Sequence, residues 1–132
     1  MGYTVGDIIA ERTLHLTRES LVRYAGASGD FNPIHYRDDV AAAVGLPGVL
    51  AHGMLTMGLA SSVVLAVLPA DVKLIDYGVR FTKPVVVDPD TGADVHVVAK
   101  VGAVDDTSAR IDLTVKYAEN TVLVKAQLRV AL

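Results

Sequence analysis

Gly53-Met54-Leu55-Thr56-Met57-Gly58-Leu59-Ala60-Ser61-Ser62-Val63-Val64-Leu65-Ala66-Val67-Leu68-Pro69-Ala70 carries no charged side chain. Wound as a helix, it has apolar residues on every face, and Pro69 marks its end. The run approaches the roughly 20 residues that cross a bilayer. It holds Thr56, Ser61, Ser62, Gly53 and Gly58, however, and lacks flanking Lys/Arg and Trp/Tyr anchors. A helix that is apolar all round and outside a membrane is a buried one. The stretch therefore predicts a central helix over 53–70, with the rest of the chain built around it.

Working outward, the C-terminal half reads as strands. Leu74–Val87 is a long strand-like run in which Pro84 predicts a bend, bulge or edge. Asp88-Pro89-Asp90-Thr91-Gly92 is a turn. Val95–Val104 alternates loosely, and Asp105-Asp106-Thr107 turns the chain again. Between Arg110 and Tyr117, Ile111, Leu113, Val115 and Tyr117 fall on one face and Asp112, Thr114 and Lys116 on the other. That period of two is a half-buried strand. Glu119-Asn120 turns once more, and Thr121–Val130 closes the set.

Upstream, Glu11–Leu16 is a candidate strand. Thr17 is a good N-cap for a helix running to about Ala27, with Leu21, Val22, Tyr24 and Ala25 available to the core. Asn32-Pro33 forces an extended or turn conformation, because the residue before proline is driven out of the helical region. A short helix follows over 38–44, closed by Gly45, and Leu46-Pro47-Gly48 is a turn. The expected fold class is α+β: an antiparallel sheet wrapped around one buried helix.

The chain has 132 residues, enough for one domain over 1–132 with a single core. Hydrophobic residues make up 52% and the mean hydropathy is +0.41, which is rich for a soluble monomer. A single curved sheet covers mainly one side of the central helix, so a second subunit is expected to cover the remainder. Net charge is −3 with no clustered Lys/Arg, which gives no footing for nucleic acid. Without cysteine there is no disulfide, thiolate nucleophile or Cys-based zinc site. The opening Met1-Gly2-Tyr3-Thr4-Val5-Gly6-Asp7 has neither a basic nor an apolar leader segment, so the expected location is cytoplasmic.

Chemistry concentrates in Gly29-Asp30-Phe31-Asn32-Pro33-Ile34-His35 and in His52-Gly53-Met54. Asp30 and His35 straddle Pro33. A carboxylate and an imidazole so placed can take and give protons near neutral pH. Gly53 opens the central helix, where a bare backbone N–H and the helix dipole favour a developing oxyanion. Asn32 before Pro33 is a turn residue expected to fix the Asp30–His35 geometry. His52 is expected to be structural, through a buried ring hydrogen bond. Asp30, His35 and His52 form a candidate zinc or iron set by residue type, but their spacing is no recognised ligand pattern. No metal is expected.

Together with Val79-Arg80-Phe81-Thr82-Lys83-Pro84-Val85, these motifs resemble the MaoC-like hot-dog enzymes, namely (R)-specific enoyl-CoA hydratases and (3R)-hydroxyacyl-ACP dehydratases. The resemblance spans essentially the whole chain. Ala51-His52-Gly53-Met54-Leu55-Thr56-Met57-Gly58 looks especially like the catalytic small subunit of fatty-acid-synthase-type dehydratases. The implied fold is a hot dog, dimerised into a double hot dog. The implied activity is reversible hydration of trans-2-enoyl thioesters on CoA or ACP, in fatty-acid or polyketide metabolism. On this resemblance Asp30 activates water, His35 is the second acid/base, and the Gly53 N–H binds the thioester oxygen.

Ser61 matches by spacing a site serine of some family hydratases, and it is equally a small helix residue packed on the sheet. Arg80 and Lys83 are candidate contacts for CoA phosphates or an acidic carrier protein. The resemblance implies no prosthetic group beyond the substrate's own phosphopantetheine arm. The partner is expected to be a second hot-dog subunit, identical or different. A hot-dog thioesterase is a rival, although one such branch needs a carboxylate on the central helix and 53–70 has none. A non-catalytic acyl-binding subunit is the other rival, and it would not need Asp30 and His35.

Overall fold

The structure is a computed structural model and describes residues 2–132. Strand β1 (Ile8–Leu16) leads into helix α1 (Arg18–Ser28). A 3-10 turn (Pro33–His35), a short helix α2 (Asp38–Ala43) and the central helix α3 (Gly53–Leu65) follow. Strands β2 (Lys73–Phe81), β3 (Ala93–Val104), β4 (Ser108–Tyr117) and β5 (Asn120–Ala131) complete the chain. All pairings are antiparallel, in the order β1-β3-β4-β5-β2.

Alternation holds the sheet over the core. Val95, Val97, Ala99 and Val101 of β3 are buried, as are Ile111, Leu113 and Val115 of β4. In β5 the buried set is Val122, Leu123, Ala126, Leu128 and Val130, so the parity changes along the strand. Extra residues in β5 account for this, one at Val122, between the Val115–Leu123 and Lys116–Thr121 pairs, and one at Lys125. Leu113 faces Ala126 and Val115 faces Leu123, while on the other side Gly78 faces Gln127 and Arg80 faces Val124. Lys125 sits in this bulge with φ 48°. A bulge bends its strand, and here both neighbours follow, which curves the sheet around α3.

Two spans differ from the sequence reading. The central helix stops at Leu65, short of Ala70. The Val67 N–H bonds back to the Val64 carbonyl at 3.0 Å, a tightened last turn, and Pro69 prevents continuation. Leu74–Val87 is not one strand. Strand β2 ends at Phe81, and Val85–Val87 leaves the sheet to pair with Val49–Ala51. The Ala51 N–H bonds the Val85 carbonyl and the Val87 N–H bonds the Val49 carbonyl, both at 2.9 Å. Pro84 cannot donate to a ladder, and the break falls beside it.

Helix α1 begins with a reciprocal cap: Thr17 Oγ1 accepts the Ser20 N–H (3.2 Å) while the Thr17 N–H donates to Ser20 Oγ (3.0 Å). Leu21 and Ala25 are buried, Tyr24 is half-buried, and Val22 faces outward. Helix α3 buries Thr56, Ala60, Ser61, Val63 and Val64. The stripe of Met54, Gly58, Ser62 and Leu65 stays exposed within the single chain. No helix among the described residues is long and apolar enough to cross a membrane.

Candidate active site

The Asp30–His35 turn is assembled by local hydrogen bonds. Gly29 ends α1 at φ 77°, a left-handed value that suits glycine, with its N–H bonded to the Ala25 carbonyl. Asp30 Oδ1 accepts the Asn32 N–H at 3.1 Å, and Asn32 Oδ1 accepts the Ile34 N–H at 3.2 Å. Pro33, whose φ is preset, occupies the first position of the 3-10 turn, and the His35 N–H returns to the Asn32 carbonyl. Asn32 therefore shapes the backbone between acid and imidazole.

His35 is buried and Asp30 is half-exposed. His35 Nδ1 lies 2.7 Å from the Leu50 carbonyl oxygen, which can only accept. Nδ1 therefore carries a proton, so that in the neutral tautomer Nε2 is the acceptor, 4.0 Å from Asp30 Oδ2. That separation is too long for a direct hydrogen bond and suits two groups sharing one water. Leu50 is held in turn by its own N–H to the Ile34 carbonyl and by the pairing of its flanks with Val85–Val87. Arg18 secures the same segment, donating from Nε to the Val87 carbonyl at 2.6 Å and forking onto Asp38 of α2.

His52 is almost fully buried. Its ring stacks on His35 at a centroid distance of 3.8 Å and meets Tyr24 edge-on at 4.8 Å. Nε2 donates to the Asp30 carbonyl at 3.2 Å, and Nδ1 has no partner. Burial is the largest influence on this imidazole and pushes its pKa below the usual histidine value.

His35 and Gly53 line one cavity of about 330 Å³, along with Leu50, Thr56, Phe81 and Lys83. Gly53 is the first residue of α3, and no side chain caps that end, so first-turn N–H groups remain free to bind an oxyanion. The Phe81 ring lies so close to Gly53 that a Cβ there would sit 2.9 Å from its Cε1. Lys83 donates to Asn120 Oδ1 at 3.2 Å.

The structure thus places His35 and Gly53 on one cavity, with Asp30 and Asn32 in the turn that ends at His35 and outside the cavity lining. Ser61 is buried on α3, its hydroxyl donating to the Gly58 carbonyl at 2.8 Å, and it does not line the cavity. Arg80 is exposed on β2 and does not line it either. Donor atoms of Asp30, His35 and His52 lie within 4.8 Å of one another. Imidazole lone pairs lie in the ring plane, however, and two rings stacked only 22° from parallel cannot both aim at one ion.

The MaoC-like domain model matches residues 5–122. The chain belongs to the MaoC-like domain family. Over 79 residues it is 39% identical to 3-hydroxyacyl-thioester dehydratase X of Mycobacterium tuberculosis, covering 60% of this chain and 27% of that protein. A solved MaoC-like dehydratase superposes with a TM-score of 0.89 at 33% identity, over 98% of this chain and 40% of that one. The (R)-hydratase PhaJ1 of Pseudomonas aeruginosa gives 0.82 at 29%, over 98% and 81%. The ChsH1–ChsH2 complex of M. tuberculosis, at 20% identity and a TM-score of 0.86 over 98% of both chains, shares the fold. The five-stranded sheet around α3 is accordingly the hot-dog fold. The chain spans about a quarter of the length of the curated M. tuberculosis relative.

One member of the candidate site, the Leu50 carbonyl, escaped the sequence reading. It is set by tertiary approach and carries no local signal, while Phe81 stands within the Val79–Val85 motif, which gave it no site role. Thr56 was legible only as a polar residue in an apolar helix, one turn beyond Gly53.

Proposed function

We propose that this chain hydrates trans-2-enoyl thioesters to (3R)-3-hydroxyacyl thioesters and catalyses the reverse dehydration. The observation that carries the reading is the Asp30–His35 pair, 4.0 Å apart, beside the cavity that Gly53 lines at the start of α3. In hydration, a water held between Asp30 and His35 gives up a proton as its oxygen bonds to the β-carbon. Electrons move through the former double bond onto the thioester oxygen, which the Gly53 N–H and the α3 dipole stabilise. The α-carbon then takes a proton from the acid/base pair. One water is added, no electron is gained or lost, and no prosthetic group is needed.

The carrier is CoA or ACP, and Lys83 at the cavity offers a cation to its phosphate. Ser61, turned back onto its own helix, is left out of the proposed machinery. The exposed stripe Met54, Gly58, Ser62 and Leu65, with the half-exposed Ile75 and Phe81 of β2, supports pairing with a second hot-dog subunit. The dehydratases and hydratases among its relatives support the reaction class.

The test is hydration of crotonyl-CoA and of enoyl-ACP, followed by loss of enoyl absorbance and chiral analysis of the product. The protein is assayed alone and with any co-encoded hot-dog subunit. (3R)-Hydroxyacyl product supports the reading, and no product under any of these conditions defeats it.

A further inference from the structure

We infer that His52 is a positioning residue that sets the spacing of the proposed acid/base pair, holding Asp30 by its ring N–H and His35 by its ring face. The inference rests on the hydratase reading above. Asp30 and His35 lie at opposite ends of one turn and share no direct hydrogen bond. His52 touches both. Its Nε2–H donates to the Asp30 carbonyl at 3.2 Å, and its ring stacks on His35 at 3.8 Å. Tyr24 of α1 meets the ring edge-on at 4.8 Å. Nothing polar is spent elsewhere, since Nδ1 has no partner.

The Asp30 carbonyl can only accept, so Nε2 must keep its proton and the neutral ring is the Nε2–H tautomer. A second proton on Nδ1 would place an unpaired buried cation against His35, which desolvation opposes. The depressed pKa of His52 agrees. His52 therefore does no proton transfer. Its position in the chain, immediately before Gly53, also ties the proton-handling turn to the start of the oxyanion helix. One buried ring thereby couples the two halves of the site. A displacement of about 1 Å in such a site is enough to cost about 100-fold in rate.

Two variants divide the two contacts. His52→Gln keeps a donor near the Nε2 position and loses the ring. His52→Phe keeps the ring and loses the donor. Each folded variant is expected to lower kcat by about 10- to 100-fold with KM within about twofold, because the substrate contacts themselves are untouched. The second measurement uses the unmodified protein: imidazole nitrogen NMR should give one histidine as a neutral Nε2–H tautomer at neutral pH, and it should stay neutral as the pH is lowered through the usual histidine value. His52→Phe removes and thereby assigns that signal. If that variant fails to fold, His52→Gln supplies the assignment.

Folded variants with kcat within twofold of the parent overturn the inference, as does a change confined to KM. An Nδ1–H tautomer or a protonated His52 at neutral pH also overturns it. A parent protein with no hydratase activity defeats the hydratase reading instead, while the NMR measurement still decides the tether to Asp30.

Discussion

Gly53→Ala isolates the oxyanion end of the site. Gly53 starts α3 in a helical conformation that alanine also adopts, and the backbone N–H survives the change. The new methyl carbon would lie 2.9, 3.1 and 3.3 Å from Cε1, Cδ1 and Cζ of Phe81. Ordinary carbon–carbon contact begins near 3.5 Å, so either the ring or the helix start must yield by roughly 0.5–1 Å. Phe81 is 51% exposed, and moving it outward costs the fold little. Either response moves the cavity wall or the donor on the scale at which catalytic geometry fails. The expected loss in kcat/KM is about 100-fold, or about 2.7 kcal/mol of transition-state stabilisation. Stability by urea denaturation should stay within about 1 kcal/mol of the parent, as for a surface change. The double variant Gly53→Ala/Phe81→Ala removes the obstacle and should recover most of the loss, a coupling expected only for residues in contact. A fully active Gly53→Ala refutes the reasoning. A double variant as impaired as the single one shows that the Phe81 contact is not the cause.

Arg18→Ala leaves the Val87 carbonyl without its charged donor and frees Asp38; urea denaturation should show a loss of about 1.5–3 kcal/mol. Tyr77→Phe removes the hydroxyl bond to the Met57 carbonyl at 2.6 Å and should cost about 0.5–1.5 kcal/mol. Burial pushes the Tyr77 hydroxyl pKa up to about 12, so ultraviolet difference titration of the native protein against Tyr77→Phe should show Tyr77 still mostly protonated at pH 11. For His52 the folded pKa lies below the unfolded one, so the unfolded chain binds more protons as pH falls through about 6.5. Thermal stability should decline from there toward lower pH, and His52→Phe should remove that part of the slope.

The fold was legible where one element could be read by itself. The charge-free run after His52 marked a buried helix, and the alternation of Ile111, Leu113 and Val115 marked a strand with one face on the core. Thr17 marked the start of α1 by cap chemistry that works locally. What failed depended on distant partners. Val85–Val87 has strand composition, but its pairing partner is Val49–Ala51, and no local pattern says which neighbour a short apolar run will choose. The bulge at Lys125 is equally silent, because it answers to the curvature needed on both sides of β5.

At the site, Asp30, Asn32, Pro33 and His35 were readable together because the turn they make is contiguous. The Leu50 carbonyl that orients His35 was not, since any residue supplies a carbonyl and only the fold aims it. Ser61 illustrates the opposite limit. Its spacing suited equally a site serine and a small helix residue packed on the sheet, and its hydroxyl donates to the Gly58 carbonyl, as serine in a helix interior often does.

The most direct test of the central claim is the rate of crotonyl-CoA hydration by the folded double variant Asp30→Asn/His35→Gln beside the parent. Both changes keep size and polarity while removing the groups that take and give protons. Acid/base catalysis of this kind is worth about 10²–10⁴-fold. The parent should yield (3R)-hydroxybutyryl-CoA, and the double variant, with an unchanged circular dichroism spectrum, should be slower by at least about 100-fold. A folded double variant hydrating at near-parental rate would place the chemistry elsewhere in the molecule.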